Sequence, residues 1–102
     1  MDEIVGAVRA IRGKMTAIKV PDGTIDIVGT GGDGYKTLNI STATALVTAS
    51  TGVKVAKHGN RSVSSLSGSS DVLTELGVNI SLKPDSYVEC INETNICFLF
   101  AP

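Results

Sequence analysis

The sequence predicts an α/β fold, a mostly parallel sheet with flanking helices, forming an incomplete portion of a larger α/β domain. Short apolar runs alternate with helical patterns along the chain, which is typical of this class. Polar loops rich in glycine or serine follow the first two apolar runs, where parallel strands present binding groups. The last run, Ile96–Phe100, is apolar throughout, as in a strand covered on both faces.

A helix and a short strand open the chain. Apolar side chains recur at spacings of three and four residues, which predicts an amphipathic helix: Ile4, Val8, Ile11, Met15 and Ile18. Asp2 and Glu3 stand at the dipole-positive end of this helix. A turn at residues 21–23 then leads to the apolar strand Ile25–Val28.

The middle of the chain predicts a second helix, a second strand and a third helix. The segment from Ser41, the expected capping residue, to Thr51 is apolar nearly all round, so we expect a buried helix that ends at Gly52. A strand over residues 53–56 follows and ends at Lys57 and His58. Residues 67–71 then cap a helix that runs to residue 76.

The last part of the chain predicts an extended piece, a helix and a strand. Apolar residues alternate over 78–82, and Pro84 occupies the first-turn position in which a helix tolerates proline. The strand Ile96–Phe100 is followed by only two residues. Because ligands bind beyond the carboxyl ends of such strands, we expect the chain to be a piece of something larger.

The composition is that of one small globular domain of 102 residues. A formal net charge of −1 gives no reason to expect nucleic acid or a membrane surface as a partner. No stretch approaches the ~20 apolar residues of a membrane span, and the first residues do not form a secretory signal, so we expect a cytoplasmic protein. Cys90 and Cys97 are too few for a disulfide framework, and we expect buried free thiols.

A glycine-dense loop joins the first strand to the second helix, with glycines at positions 29, 31, 32 and 34. Glycine permits positive φ and close backbone approach, so successive N–H groups can surround an anion. The helix start at Ser41 adds a favourable dipole. Residues 29–61 contain four cationic side chains and a single acidic one, Asp33. This segment therefore predicts binding of a heavily phosphorylated small molecule.

Two common nucleotide-binding loops fit this segment poorly. The pattern G-x-G-x-x-G at residues 29–34 lacks the helix that should open within it, and the second strand ends at Lys57 instead of an acid. Residues 34–37 fail the P-loop pattern because a tyrosine separates glycine from lysine. His58 follows a strand, where a lone histidine is more often structural than a proton-transfer group.

Three segments resemble the anthranilate phosphoribosyltransferase family: Gly29–Asp33 (GTGGD), Asn39–Thr42 (NIST) and Lys57–Ser65 (KHGNRSVSS). The resemblance covers nearly the whole chain, with the motifs in the family's order and spacing. It implies transfer of the phosphoribosyl group of phosphoribosyl pyrophosphate (PRPP) to anthranilate, with Mg²⁺, in tryptophan biosynthesis. It also implies that residues 1–20 belong to an N-terminal helical part, that residues 21–102 begin the donor-binding α/β domain, and that the full-length enzyme is a homodimer.

The resemblance also implies a set of PRPP-binding residues: Gly29, Gly32, Asp33, Thr37, Asn39, Ile40, Ser41, Thr42, Lys57, His58, Gly59, Asn60, Arg61, Ser62, Val63, Ser64, Ser65 and Ser69. Within this set Gly29 and Asn60 also approach anthranilate, and Ser41 contacts Mg²⁺. No residue receives a catalytic role, because an aromatic amine is already a nucleophile. Lys57 suits a PRPP-binding role physically, because its positive charge can offset the negative charge of a leaving pyrophosphate.

The resemblance leaves part of the family's machinery outside this chain. The family's metal-binding carboxylate pair and an arginine that helps to bind anthranilate fall beyond residue 102, so we expect the chain alone to be inactive. Two alternatives remain at this point. One is an enzyme like the pyrimidine nucleoside phosphorylases, which share the fold but carry a different glycine loop. The other is a non-catalytic phosphate- or nucleic-acid-binding relative of the same fold.

Overall fold

The computed structural model describes residues 1–29, 38–60 and 68–100, and within these ranges it contains four helices and two strands. Their order is α1 (Asp2–Lys14), α2 (Ile40–Ser50), β1 (Val55–Gly59), α3 (Ser69–Glu75), α4 (Pro84–Thr94) and β2 (Ile96–Phe100). The two strands pair in parallel, from Val55 opposite Ile96 to Gly59 opposite Phe100. The predicted α/β class and its parallel pairing are confirmed.

Apolar side chains cover both faces of this sheet, because successive residues of a strand point to opposite sides. On one face Ala45 and Ala49 of α2 pack with Val55. On the other face Tyr87 and Ile91 of α4 form a cluster with residues 56 and 97. Val55 and Ile91 are fully buried. The core therefore has two small halves, one on each side of the strands.

The first predicted strand is shorter than expected. Ile25 makes a single parallel bridge to Val55: its N–H donates to the Lys54 carbonyl and its carbonyl accepts from the Ala56 N–H, both at 2.9 Å. No further rung follows between residues 26–29 and β1 in the described structure. This segment nevertheless lies beside β1, on the side away from β2, and it leads directly to Gly29.

The second helix and second strand also differ from prediction. Helix α2 starts at Ile40, and its N-cap is Asn39, two residues before the predicted Ser41: the Asn39 Oδ1 accepts from the Thr42 N–H at 3.1 Å. Only one side of α2 is buried, since Val47 remains 66% exposed. Strand β1 starts at Val55 and runs through Lys57 and His58 to Gly59, so both side chains project from regular strand.

The remaining elements follow prediction with smaller corrections. Helix α1 forms but ends at Lys14, and none of its residues is buried. Helix α3 has Gly68 as its N-cap, without a side-chain capping bond. Residues 78–83 lie between α3 and α4 as predicted but outside any ladder. Helix α4 begins at Pro84 as predicted, and Asn95 ends it with a φ of 61°.

Both cysteines are free thiols, as expected. Cys97 is buried, and this burial raises its pKa to about 11. Cys90 is only half-buried, and its Sγ lies 3.2 Å from the carbonyl of Ile96. Within the described residues no helix is long and apolar enough to cross a membrane.

Alanine in place of Gly59 should destabilise the chain. An added Cβ would lie 3.2 Å from Cε2 of Phe98 and 3.4 Å from Cβ of Ser69, so the ring would have to move. We expect the free energy of unfolding in urea to fall by about 1–3 kcal/mol. The control is Gly6→Ala within α1, where nothing lies within 4 Å of the added methyl group and a gain of up to about 1 kcal/mol is expected. Unchanged stability of Gly59→Ala would contradict the close packing against Phe98.

Candidate functional site: an anion-binding cluster at the start of α2

The structure describes ten of the predicted site residues: Gly29, Asn39, Ile40, Ser41, Thr42, Lys57, His58, Gly59, Asn60 and Ser69. The others lie outside the described residues: Gly32, Asp33, Thr37, Arg61, Ser62, Val63, Ser64 and Ser65. The described group comes from four places in the chain, which meet where β1 approaches the N-terminus of α2.

Lys57 lies at the centre of this meeting point. Its side chain projects from β1 on the face covered by α2, and the residue is only 2% exposed. The Nζ donates to the Ile27 carbonyl at 3.0 Å and to the Ser41 Oγ at 3.3 Å. Burial lowers the pKa of Lys57 because the ammonium loses solvation, and the nearby charge of Asp26 partly opposes this effect.

A chain of hydrogen bonds links Lys57 to the start of α2 and to α3. The Ser41 Oγ accepts from Lys57 and donates to the Asn39 Oδ1 at 3.3 Å. Asn39 in turn donates through Nδ2 to the Ser69 Oγ at 3.4 Å. Gly29 lies beside the same group, because a Cβ built on it would be 3.8 Å from Ser41. We call these five residues the Lys57 cluster.

The Lys57 cluster has the chemistry of an anion site. An ammonium carries three N–H donors, and the described residues supply acceptors for two of them, Ile27 and Ser41. A third donor is thus left for a ligand oxygen. The N-terminus of α2 adds its partial positive charge, and no described carboxylate lies within salt-bridge distance of Lys57. The arrangement therefore favours a phosphate or pyrophosphate group at this position.

The other predicted site residues of α2 have different surroundings. Ile40 is 64% exposed at the first position of the helix. The Thr42 N–H is engaged by Asn39, and its Oγ1 is buried without a hydrogen-bond partner in the described structure. A ligand contact to the Thr42 N–H would therefore require a rearrangement of the cap.

His58 and Asn60 lie towards the end of β1. His58 follows Lys57 and so projects from the opposite face of the strand. Its backbone N–H donates to Asp26 Oδ1 at 3.0 Å, and its Nδ1 lies 3.0 Å from Asp26 Oδ2. Both side chains are about half exposed, at 50% and 43%. Asn60 is exposed immediately beyond the strand.

Asp26 is a residue that the sequence analysis did not single out. A signal was present: it is the only charged side chain in the apolar run Ile25–Val28, and it alternates with the apolar residues on either side. Its partner His58 lies on the neighbouring strand β1. The sequence predicted both strands but did not predict which of their residues would be in contact.

Asp26 and Lys57 together account for the early end of the first strand. In a continued parallel ladder the His58 N–H would donate to the Ile27 carbonyl. The Asp26 carboxylate instead accepts from that N–H, and the Lys57 ammonium donates to that carbonyl. Each backbone group therefore bonds to a side chain, and the backbone over 26–29 need not stay paired with β1.

A cavity of about 430 Å³ lies beside the Lys57 cluster and is lined by residues of α2, α3, α4 and β2. Leu73, Leu82 and Phe98 contribute to its wall, and Lys57 borders it. Its lining is mostly apolar, so it is poorly suited to an anion. The Lys57 cluster, and not this cavity, remains the candidate site.

The described residues do not fit a protein-held Mg²⁺ ion. Among them no group of three or more His, Cys, Asp and Glu side chains lies close enough to hold a metal. The hydroxyl of Ser41, which the resemblance assigns to the metal, is already bonded to the Lys57 ammonium. Mg²⁺ prefers carboxylate, phosphate and water oxygens, and a neighbouring cation opposes its binding.

Comparison with known proteins identifies a family and a set of relatives. Residues 21–102 match the profile described as "Glycosyl transferase family, a/b domain". The anthranilate phosphoribosyltransferase of Sinorhizobium medicae is 57% identical over 101 residues, which cover 99% of this chain and 30% of that protein. That of Geobacillus kaustophilus is 56% identical over 102 residues, again 30% of its length. The chain thus spans about 30% of the length of these curated relatives.

Solved structures show the same similarity. The crystal structure of anthranilate phosphoribosyltransferase from Thermus thermophilus superposes with a TM-score of 0.85 at 48% identity, over 97% of this chain and 30% of that one. The enzyme from Saccharomyces cerevisiae, solved in complex with PRPP and Mg, gives a TM-score of 0.80 at 33% identity over 94% and 27% of the two chains. The α/β architecture predicted from sequence is therefore that of known proteins.

The buried charge of Lys57 should make stability depend on pH in the alkaline range. Because burial lowers its folded-state pKa below 10.5, the unfolded chain binds a proton that the folded chain has lost between these two values. The free energy of unfolding should therefore rise as pH increases through the lowered pKa towards 10.5. Urea denaturation of wild type and Lys57→Met at several pH values measures this effect.

The Lys57→Met variant should lack this alkaline rise, since methionine fills a similar volume without a titratable group. Lys19→Met removes the same charge from an exposed position and serves as the control, with a profile parallel to wild type. Identical pH profiles for Lys57→Met and wild type would contradict the lowered pKa.

Proposed function

Because the chain belongs to the glycosyl transferase family through its α/β domain, we propose that it supplies the phosphoribosyl-donor site of an anthranilate phosphoribosyltransferase. This enzyme transfers the phosphoribosyl group of PRPP to the amine of anthranilate, giving N-(5-phosphoribosyl)anthranilate and pyrophosphate in tryptophan biosynthesis. The observation that carries the proposal is the buried Lys57 ammonium bonded to Ser41 at the start of α2.

The charge of Lys57 supports the proposed binding of the phosphoribosyl donor. Pyrophosphate leaves the anomeric carbon with negative charge accumulating on its oxygens, and a fixed cation stabilises that charge. Lys57 is held by two acceptors before a ligand arrives, so little reorganisation is needed. Ser41, Asn39 and Gly29 surround the same point, and the loop residues of the predicted donor set follow directly from Gly29 and Asn60 in the chain.

The acceptor side of the proposal uses Gly29 and Asn60. Asn60 is exposed just beyond the carboxyl end of β1, where ligands of parallel sheets bind. Its side-chain amide can donate to the carboxylate of anthranilate without adding a competing charge. Gly29 lies beside Ser41, and in the proposed arrangement it borders both substrates.

We also propose how these residues belong to the parts of the whole protein. Residues 1–20 contribute to a helical part, and residues 21–102 begin the donor-binding domain. We propose a cytoplasmic homodimer whose partners are PRPP and anthranilate, with no nucleic acid or membrane. The exposed apolar side of α1, including Ile4 and Ile11 at 66% and 67%, supports a role of this helix in contacts outside the described structure.

In the proposed function, Mg²⁺ accompanies the phosphoribosyl donor PRPP. The S. cerevisiae relative was solved with PRPP and Mg, whereas the residues described here do not fit a protein-held ion. We therefore assign no step to the metal. The chain alone is expected to lack turnover, which loss of anthranilate fluorescence would report.

The two alternatives of the sequence analysis are not favoured. The relatives and structures reported above are all anthranilate phosphoribosyltransferases. An enzyme like the pyrimidine nucleoside phosphorylases, or a non-catalytic binding relative, has no specific observation in its support.

Pyrophosphate should bind this chain at the Lys57 cluster even without turnover. In a ¹H–¹⁵N NMR titration we expect the largest shifts at the amides of Ser41 and Lys57. Asn39→Asp should weaken binding more than tenfold, because like charges about 5 Å apart repel by about 3 kcal/mol at an effective dielectric of about 20. Aspartate retains an oxygen that can cap α2, so the helix should persist.

Asn92→Asp is the control for this titration. Asn92 is exposed on α4, which packs against the opposite face of the sheet, and its Oδ1 accepts from the Lys54 Nζ at 2.7 Å, so the variant adds the same charge away from the Lys57 cluster. Its pyrophosphate affinity should stay near that of wild type. Shifts confined to other regions, or equal affinities for the two variants, would contradict the donor site.

Asn60→Asp should weaken acceptor binding selectively in a complete family enzyme that carries this segment. The new charge would face the anthranilate carboxylate, and at an effective dielectric of about 20 the repulsion exceeds about 1 kcal/mol. Steady-state kinetics should show the anthranilate KM rising about fivefold or more, with the PRPP KM changed less than twofold. Equal effects on both KM values would make Asn60 a donor residue.

A further inference from the structure

We propose that Asp26 is a positioning residue that holds His58 in the tautomer protonated at Nδ1, so that Nε2 is presented as a hydrogen-bond acceptor for the amine of the acceptor substrate. The amine contact rests on the proposed function, whereas the tautomer rests on geometry alone. Neither residue received this role in the sequence analysis.

The Asp26 carboxylate is anchored by backbone before it meets the ring. Its Oδ1 accepts from the His58 N–H at 3.0 Å, which fixes the carboxylate beside β1. Its second oxygen, Oδ2, then lies 3.0 Å from His58 Nδ1. Two contacts to the same residue restrict both the carboxylate and the ring, so the pair is more defined than a typical exposed ion pair.

The tautomer follows from the donor inventory. An ionised carboxylate has acceptors only, so the short contact to Nδ1 requires a proton on Nδ1. In the neutral ring Nε2 then carries a lone pair and no hydrogen. No other described residue bonds to this ring, and the side chain is 50% exposed, so Nε2 is open to a ligand.

The position of His58 selects the kind of ligand group. Lys57 presents positive charge on the α2 face of β1, and His58 projects on the other face, one residue closer to the carboxyl end. The Lys57 ammonium on one face suits the phosphates of one substrate. The neutral acceptor Nε2 of His58 on the other face suits the amine of the second substrate. The amine N–H groups are donors, which Nε2 can accept and Lys57 cannot.

Nitrogen NMR of this chain tests the tautomer without any substrate. His58 is the only histidine, so long-range ¹H–¹⁵N spectra contain a single imidazole. In the neutral ring we expect Nδ1 to carry the proton and Nε2 to show the shift of an unprotonated nitrogen. A ring protonated mainly at Nε2, as in free histidine, would overturn the proposal.

Asp26→Asn provides the variant for the same measurement. An asparagine can accept from the His58 N–H and donate its amide to Nδ1, so the ring should switch towards the Nε2–H tautomer. Asp22→Asn, in the exposed turn before the first strand, removes the same charge and should leave the tautomer unchanged. A retained Nδ1–H tautomer in Asp26→Asn, with backbone amide shifts showing a folded chain, would also overturn the proposal.

Kinetics of a complete family enzyme with both residues test the amine contact separately. There Asp26→Asn should lower kcat/KM for anthranilate about tenfold, the range of one hydrogen bond between neutral groups, with the PRPP KM changed less than twofold. Equal losses for both substrates would mean a merely structural role and overturn the amine contact. If no transferase activity existed at all, the proposed function would fail while the tautomer measurement still decided the role of Asp26.

Discussion

The hydrogen bond from Lys57 Nζ to the Ile27 carbonyl is the interaction on which the rest of the site depends. It takes up a backbone acceptor that a longer first strand would use, and Asp26 takes up the matching donor of His58. The sheet is therefore free to end at this point, before Gly29. The same bond holds a buried cation beside Ser41, where the helix α2 begins.

Burial of this cation carries an energetic cost that function can explain. Lys57 is 2% exposed, and its pKa is lowered by lost solvation. Replacing a buried charge by an apolar side chain is often neutral or stabilising, so folding alone does not require a lysine here. An anionic ligand would restore the missing interaction, because its charge would offset the desolvation of the ammonium. In the proposed function, the site is thus prepared for a phosphate before the phosphate is bound.

Local signals explain what the sequence could predict. The apolar run of β2 and Pro84 at the start of α4 act over a few residues, and both elements formed as expected. The short first strand was not predicted, because its cause is a pair of side chains far apart in sequence, Asp26 and Lys57. Asn39 and Ser41 are both good capping residues, and only the structure distinguishes them. Motif resemblance indicated Lys57, Ser41 and Asn39 but gave no reason to consider Asp26.

Direct observation of the Lys57 ammonium by ¹H–¹⁵N NMR tests the central claim, that this buried cation awaits an anion. A side-chain ammonium that is buried and bonded to Ile27 and Ser41 should exchange its protons slowly enough with water to give a resolved signal, unlike exposed lysines. Addition of pyrophosphate should shift that signal, because the third N–H would gain a phosphate acceptor. A signal absent at low temperature, or one that saturating pyrophosphate leaves unmoved, would contradict the claim.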